Sequence, residues 1–103
     1  MLDKETVLAL SHRYAHEVQR MLSPQAIVLF GSYANDTAHA YSDIDIAIIL
    51  NDFRGNYLET SKQLYKLRRN ISADIEPHLL DAADDKSGFV RHVFNTGQVI
   101  YQA

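Results

Sequence analysis

The chain has 103 residues, which is room for one compact domain and not for two. It holds no cysteine, which excludes a disulfide framework and a zinc–thiolate site and fits a reducing, cytoplasmic setting. A formal charge of −3 and an apolar share of 47% fit an ordinary globular core and argue against direct nucleic-acid binding, since phosphate backbones call for a basic face. The opening MLDKETVLAL places an acid and a base beside few apolar residues, unlike a secretory signal. No stretch approaches the roughly 20 apolar residues of a membrane span, so no membrane association is expected.

Residues 2–22 are predicted to form an amphipathic helix. Val7, Leu10, Tyr14, Val18 and Met21 recur at three- and four-residue steps. Asp3 near its start suits the helix dipole, and Ser23-Pro24 stops it. Ala26–Phe30 is a short, continuously apolar, β-branched run, read as a buried strand that Gly31 ends. Asp43–Leu50 reads as a second buried strand, and NDFRGN as the loop after it. A helix over 57–70 follows, with Tyr57, Leu58, Leu64, Tyr65 and Leu67 apolar. Alternation around Ala73–Leu80 predicts a third strand. Ser87–Thr96 suggests a last helix with Gly97 as its C-cap, and the closing QVIYQA a short edge segment. This order predicts one small α/β domain over residues 1–103, a mixed sheet flanked by helices.

The second strand poses a chemical question, because aspartate is a poor strand former and two of them head it. Residues two apart on a strand face the same way, so Asp43 and Asp45 present two carboxylates side by side. At about 4 Å and an effective dielectric near ~20, such charges repel by about 4 kcal/mol. A hard cation such as Mg²⁺, which takes carboxylate oxygens, offsets that repulsion. Asp74 and Glu76, again two apart, offer a third acid on the next strand. If the first two strands are antiparallel and the second and third parallel, Gly31-Ser32, the Asp-x-Asp pair and that acid meet at one sheet edge. Gly31 permits close backbone approach, and Ser32 adds a hydroxyl at the start of a turn whose N–H groups suit an anion. The edge then combines a phosphate cradle with a metal clamp, as a nucleotide triphosphate with Mg²⁺ requires.

Other polar residues carry plainer readings. His12 and His16, spaced i, i+4 off the apolar stripe, read as solvated histidines. His39 and His78 read as loop and strand-end residues, each within conceivable reach of the site. Lys66, Arg68 and Arg69 form a basic cluster that reads first as a solvated helix face. Asp84 and Asp85 sit where the last helix begins.

Gly31-Ser32, ten intervening residues, Asp43-Ile44-Asp45 and a later acid on another strand resemble the nucleotidyltransferase superfamily of DNA polymerase beta. The chain length is similar to that of its minimal nucleotidyltransferase domains. The resemblance implies a palm-like fold, with Asp43 and Asp45 as ligands of two Mg²⁺ ions and Gly31 and Ser32 holding the triphosphate of ATP. It implies a third carboxylate as metal ligand or proton acceptor. Asp74 is favoured over Glu76, because Pro77 directly after Glu76 is expected to disturb the ladder. Such proteins often pair with a helical HEPN-type toxin as its antitoxin, transferring AMP from ATP to a toxin tyrosine. The alternative is a degenerate antitoxin that neutralises by binding alone. Where the family often carries Ala-Arg-Gly, this chain reads Ala34-Asn35-Asp36, so an arginine contact is absent.

Overall fold

The computed structural model describes residues 2–103. Helix α1 (Lys4–Gln19) starts where the Asp3 carboxylate accepts the backbone N–H of Thr6 at 2.7 Å. That bond satisfies one of the free donors of the first turn and holds the Asp3 carboxyl below its ordinary pKa. Val7, Tyr14 and Val18 form the buried stripe. The helix ends earlier than the predicted 2–22. The Arg20 N–H closes onto the Glu17 and Val18 carbonyls, so the chain leaves the helix before Ser23-Pro24 is reached.

Four strands follow, β1 (Ala26–Phe30), β2 (Ile44–Leu50), β3 (Ile75–Asp81) and β4 (Gln98–Gln102). They form one sheet in the order β3-β2-β1-β4. β1 is antiparallel to both β2 and β4, and β2 runs parallel to β3. The parallel pair needs a crossover, supplied by α2 (Tyr57–Leu67), capped by Asn56 and closed by a 3₁₀ turn at Arg68–Asn70. The fold is thus a small mixed α/β arrangement, as the chain order predicts. Two strands begin later than expected: Asp43 and Asp74 each lie one residue before their strand. Helix α3 (Phe89–Thr96) is also shorter at its start than predicted, with Asp85 accepting the backbone N–H groups of Val90 and Arg91.

Alternation along β2 divides the core. Ile44, Ile46, Ile48 and Leu50 pack with Val7, Tyr14 and Val18 of α1 and Leu64 of α2. Ala47 and Ile49 face the other way, against Val90 and Val93 of α3. Asp45 shares that second face by parity. An eight-residue helix is only about 12 Å long, so α3 covers part of this face and leaves the Asp45 end accessible.

Both sheet edges are blunted. On β3 the Arg68 guanidinium donates to the Ala73 and Ile75 carbonyls, and the Tyr57 hydroxyl donates to the Leu79 carbonyl. Pro77 sits opposite Ile46 within the register. It disturbs nothing, contrary to expectation, because its nitrogen points to the outer edge, where no ladder bond is required. On β4 the pairing skips Ile100, a bulge that twists the edge.

Gly97 is the C-cap of α3, as the sequence predicts, its N–H donating to the Val93 carbonyl. Its backbone is extended, with φ −93° and ψ −179°. A Cβ there would lie 2.6 Å from Val28 Cγ1 and 2.7 Å from the Leu29 carbonyl oxygen, so close packing against β1 requires the glycine.

Candidate functional site

The site grows from the junction of β1 and β2. Phe30, the last residue of β1, is the register partner of Asp45. Gly31 then adopts φ +76°, a left-handed conformation that a side chain makes unfavourable. A Cβ on Gly31 would lie 2.5 Å from Asp45 Oδ2. The space a side chain would fill is where the Asp45 carboxylate sits.

Residues 31–37 form a tight turn. The N–H groups of Ala34 and Asn35 donate to the Gly31 carbonyl, and that of Thr37 donates to the Ser32 carbonyl. Asp36 closes it at φ +61°, a position that glycine fills without strain. Buried Tyr33 ties the turn to α1. Its carbonyl accepts Lys4 Nζ at 2.6 Å, and its hydroxyl accepts the Leu2 N–H at 3.2 Å. His39 stays in the following loop, where Nδ1 accepts the Tyr41 N–H.

The other wall comes from β3. His78 Nε2 lies 3.1 Å from Asp45 Oδ1, and donates to that carboxylate when it carries a proton. The Phe30 ring stands edge-on to the imidazole, with centroids 5.0 Å apart. Asp45 is therefore held at Oδ1 by His78, while Oδ2 occupies the space that the missing side chain of Gly31 leaves, with the Asp45 side chain 26% exposed.

Glu76 is the register partner of Asp45. Its carboxylate is drawn toward α2, where Oε1 accepts the Tyr65 hydroxyl at 2.5 Å. That hydrogen bond is the main reason the Tyr65 hydroxyl ionises above the usual tyrosine range. The nearby Arg68 opposes the shift and Asp43 adds to it. Asp43 and Asp74 are exposed neighbours at the strand starts, where the Ile44 N–H donates to the Asp74 carbonyl at 2.8 Å. The structure thus unites Gly31 with Asp45, sets Glu76 beside Asp45 in register and places Asp74 beside Asp43. Among the described residues no three His, Asp or Glu side chains converge as a metal cage. The Tyr65 contact escapes sequence reasoning, since nothing in its helical spacing reveals that α2 overhangs the edge of β3.

His12 and His16 lie away from this rim, exposed on α1. They line a groove of about 570 Å³ together with Arg13 and Asn70.

The sequence matches the family described as polymerase beta nucleotidyltransferase over residues 14–103. Three crystal structures are similar in fold. One is a candidate nucleotidyltransferase from Sulfolobus solfataricus, with a TM-score of 0.69 and 19% identity over 96% of this chain and 83% of that one. A toxin–antitoxin with AMP-PNP gives a TM-score of 0.58 and 25% identity over 99% and 75%. A mutant of the toxin–antitoxin MntA–HpeT gives 0.56 and 23% over the same shares. No curated protein matches the sequence.

Proposed function

The chain belongs to the polymerase beta nucleotidyltransferase family, and from that premise we propose that it is a Mg²⁺-dependent antitoxin that transfers AMP from ATP to a tyrosine of a HEPN-type toxin. The observation that carries this reading is the Gly31–Asp45 contact: a glycine-hydroxyl corner and a fixed carboxylate occupy one point of the rim. The two toxin–antitoxin neighbours, one with AMP-PNP, support the choice of nucleotide and of a protein partner.

The donor set fits Mg²⁺. That ion is usually held by one or two carboxylates, with substrate phosphates and waters completing its shell, and seldom by an all-protein cage. Asp43 and Asp45, two carboxylates at the rim, would hold it. The chemistry supplied there is neutralisation of phosphate charge and activation of the attacking oxygen. Gly31 and Ser32 would position the triphosphate. In transfer, the acceptor tyrosine oxygen bonds to the α-phosphorus, pyrophosphate leaves, and the hydroxyl proton passes to a carboxylate. Glu76 serves as that acceptor once it releases the Tyr65 hydroxyl, and Asp74 is its competitor from the exposed strand start.

The test mixes the chain with labelled ATP, Mg²⁺ and the toxin, and looks for AMP on a toxin tyrosine. Asp43→Asn and Asp45→Asn abolish the label while the complex still forms. Binding without transfer by the unaltered chain removes the enzymatic reading. Two observations favour a second reading, an antitoxin that acts by binding alone: Glu76 is engaged by Tyr65, and Asn35-Asp36 stands where the arginine-bearing turn is expected. In that case Asp43→Asn still protects cells from the toxin.

A further inference from the structure

The sequence pattern puts Tyr57, Leu58 and Tyr65 on an apolar helix face, yet the structure leaves all three in solvent. Leu58 is 64% exposed and Tyr65 38%. Leu58, Lys62, Tyr65 and Arg69 follow one another at four, three and four residues, a single stripe along α2 and its 3₁₀ extension. Beside the stripe runs a groove of about 540 Å³ whose lining contains Lys62, Lys66, Arg68 and Arg69 and no acid. Residues 57–70 hold four of the ten Lys and Arg of the chain but one of its thirteen acids. Among the described residues, Lys66, Arg68 and Arg69 have no carboxylate within ion-pairing distance. Arg68 is spent on the Ala73 and Ile75 carbonyls and on the face of the Tyr65 ring, 5.1 Å from its centroid. The floor of the groove is therefore held in place before anything binds. Its far side reaches the catalytic rim, because Tyr65 bonds directly to Glu76.

We infer that this α2 face is the docking surface for the acceptor protein, and that it takes an acidic segment bearing apolar or aromatic side chains. The inference rests on the nucleotidyl-transfer reading and adds where the partner sits and what its surface is made of. Charge complementarity selects the acid: Lys66 and Arg69 line the groove without partners, beside Lys62, which meets Glu59 only at 3.9 Å, in a chain whose net charge is otherwise negative. The exposed Leu58 and Tyr65 select the apolar component. A nucleic acid strand fits less well, since it follows an extended basic track, and here the basic stretch is one helix long. A segment seated here leads to the edge where Glu76 and Asp43 stand.

The probe is a glutamate–tyrosine copolymer, acidic and rich in acceptor hydroxyls, added to the isotopically labelled chain. Amide shifts are expected at Leu58, Lys62, Tyr65, Lys66 and Arg69, and to vanish in high salt, where screening shortens to about 3 Å at 1 M. The Lys66→Glu/Arg69→Glu double variant, whose own spectrum reports its fold, binds roughly tenfold more weakly. Polyglutamate without tyrosine binds several-fold more weakly than the copolymer. Asp43→Asn leaves copolymer binding unchanged while losing any transfer to it, so failure of docking and failure of chemistry are read separately. Shifts on another face, unchanged affinity in the double variant, equal binding of polyglutamate, or tighter binding of single-stranded RNA to the same residues would each overturn the proposal.

Discussion

At the residue scale the decisive contact is Gly31 against Asp45. A Cβ at Gly31 brings two penalties, a left-handed backbone and a collision with a carboxylate that His78 holds from the other side. Gly31→Ala is expected to lower stability by about 2–3 kcal/mol in urea titrations. In an Asp45→Ala background the collision disappears, and only the backbone share of about 1 kcal/mol remains. Equal losses in both backgrounds would mean that the carboxylate does not fill that space. The second contact is Tyr65 on Glu76. Hydrogen bonding to the carboxylate raises the ionisation of Tyr65. Its contribution to stability is therefore full below the unfolded value of about 10, and is lost as pH rises through the raised folded value. Glu76→Gln moves that ionisation down toward the ordinary value, as read from the Tyr65 ring carbons by NMR. The Gly-Ser and Asp-x-Asp signals are legible in sequence, because they depend on spacing along one strand or turn. The Tyr65–Glu76 pair is not, since it joins a helix to a strand edge eleven residues on.

At the element scale the strands were the most legible part. Ala26–Phe30 is predicted and observed with the same bounds, being a short apolar run with a glycine behind it. Where acids head a strand, as at Asp43 and Asp74, the ladder starts one residue later and leaves the carboxylates at its rim. The register that pairs Asp45 with Glu76 could not be read, because a parallel pair takes its register from the packing of the crossover helix. Proline at 77 looked disruptive in one dimension and is harmless on an outer edge. Asp81 shows how the far end of the pair is fastened. Its oxygens accept the N–H groups of Asp52, Phe53 and Ala83 at 2.8–2.9 Å, joining the loop after β2 to the end of β3. Those N–H donors hold its carboxyl below the ordinary value. The stability this gives is present above about pH 4 and is lost as pH falls through the lowered folded value. Asp81→Asn is expected to destabilise the chain at neutral pH and to flatten the loss on acidification, as measured by urea midpoints across an acid pH series.

For the molecule as a whole, ligand and fold are linked. If Asp43 and Asp45 hold Mg²⁺ with ATP only when β1, β2 and β3 are assembled, binding stabilises the native state by about 2.7 kcal/mol at a hundredfold excess over Kd. For a domain of this size that raises the melting temperature by about 10 °C or more. Calorimetry is expected to show the rise with Mg²⁺ and ATP together, and its loss in Asp43→Asn/Asp45→Asn. A rise of equal size in that double variant would place the nucleotide elsewhere.

The closed outer edge of β3 restricts how an acceptor can be delivered. With the Ile75 and Leu79 carbonyls already taken and no N–H at Pro77, a substrate chain cannot be stitched on as a fifth strand beside Glu76. An acceptor segment seated on α2 would instead come over the rim from the helix side and lower a single side chain onto it, so transfer would mark one protruding hydroxyl and not a strand laid along β3.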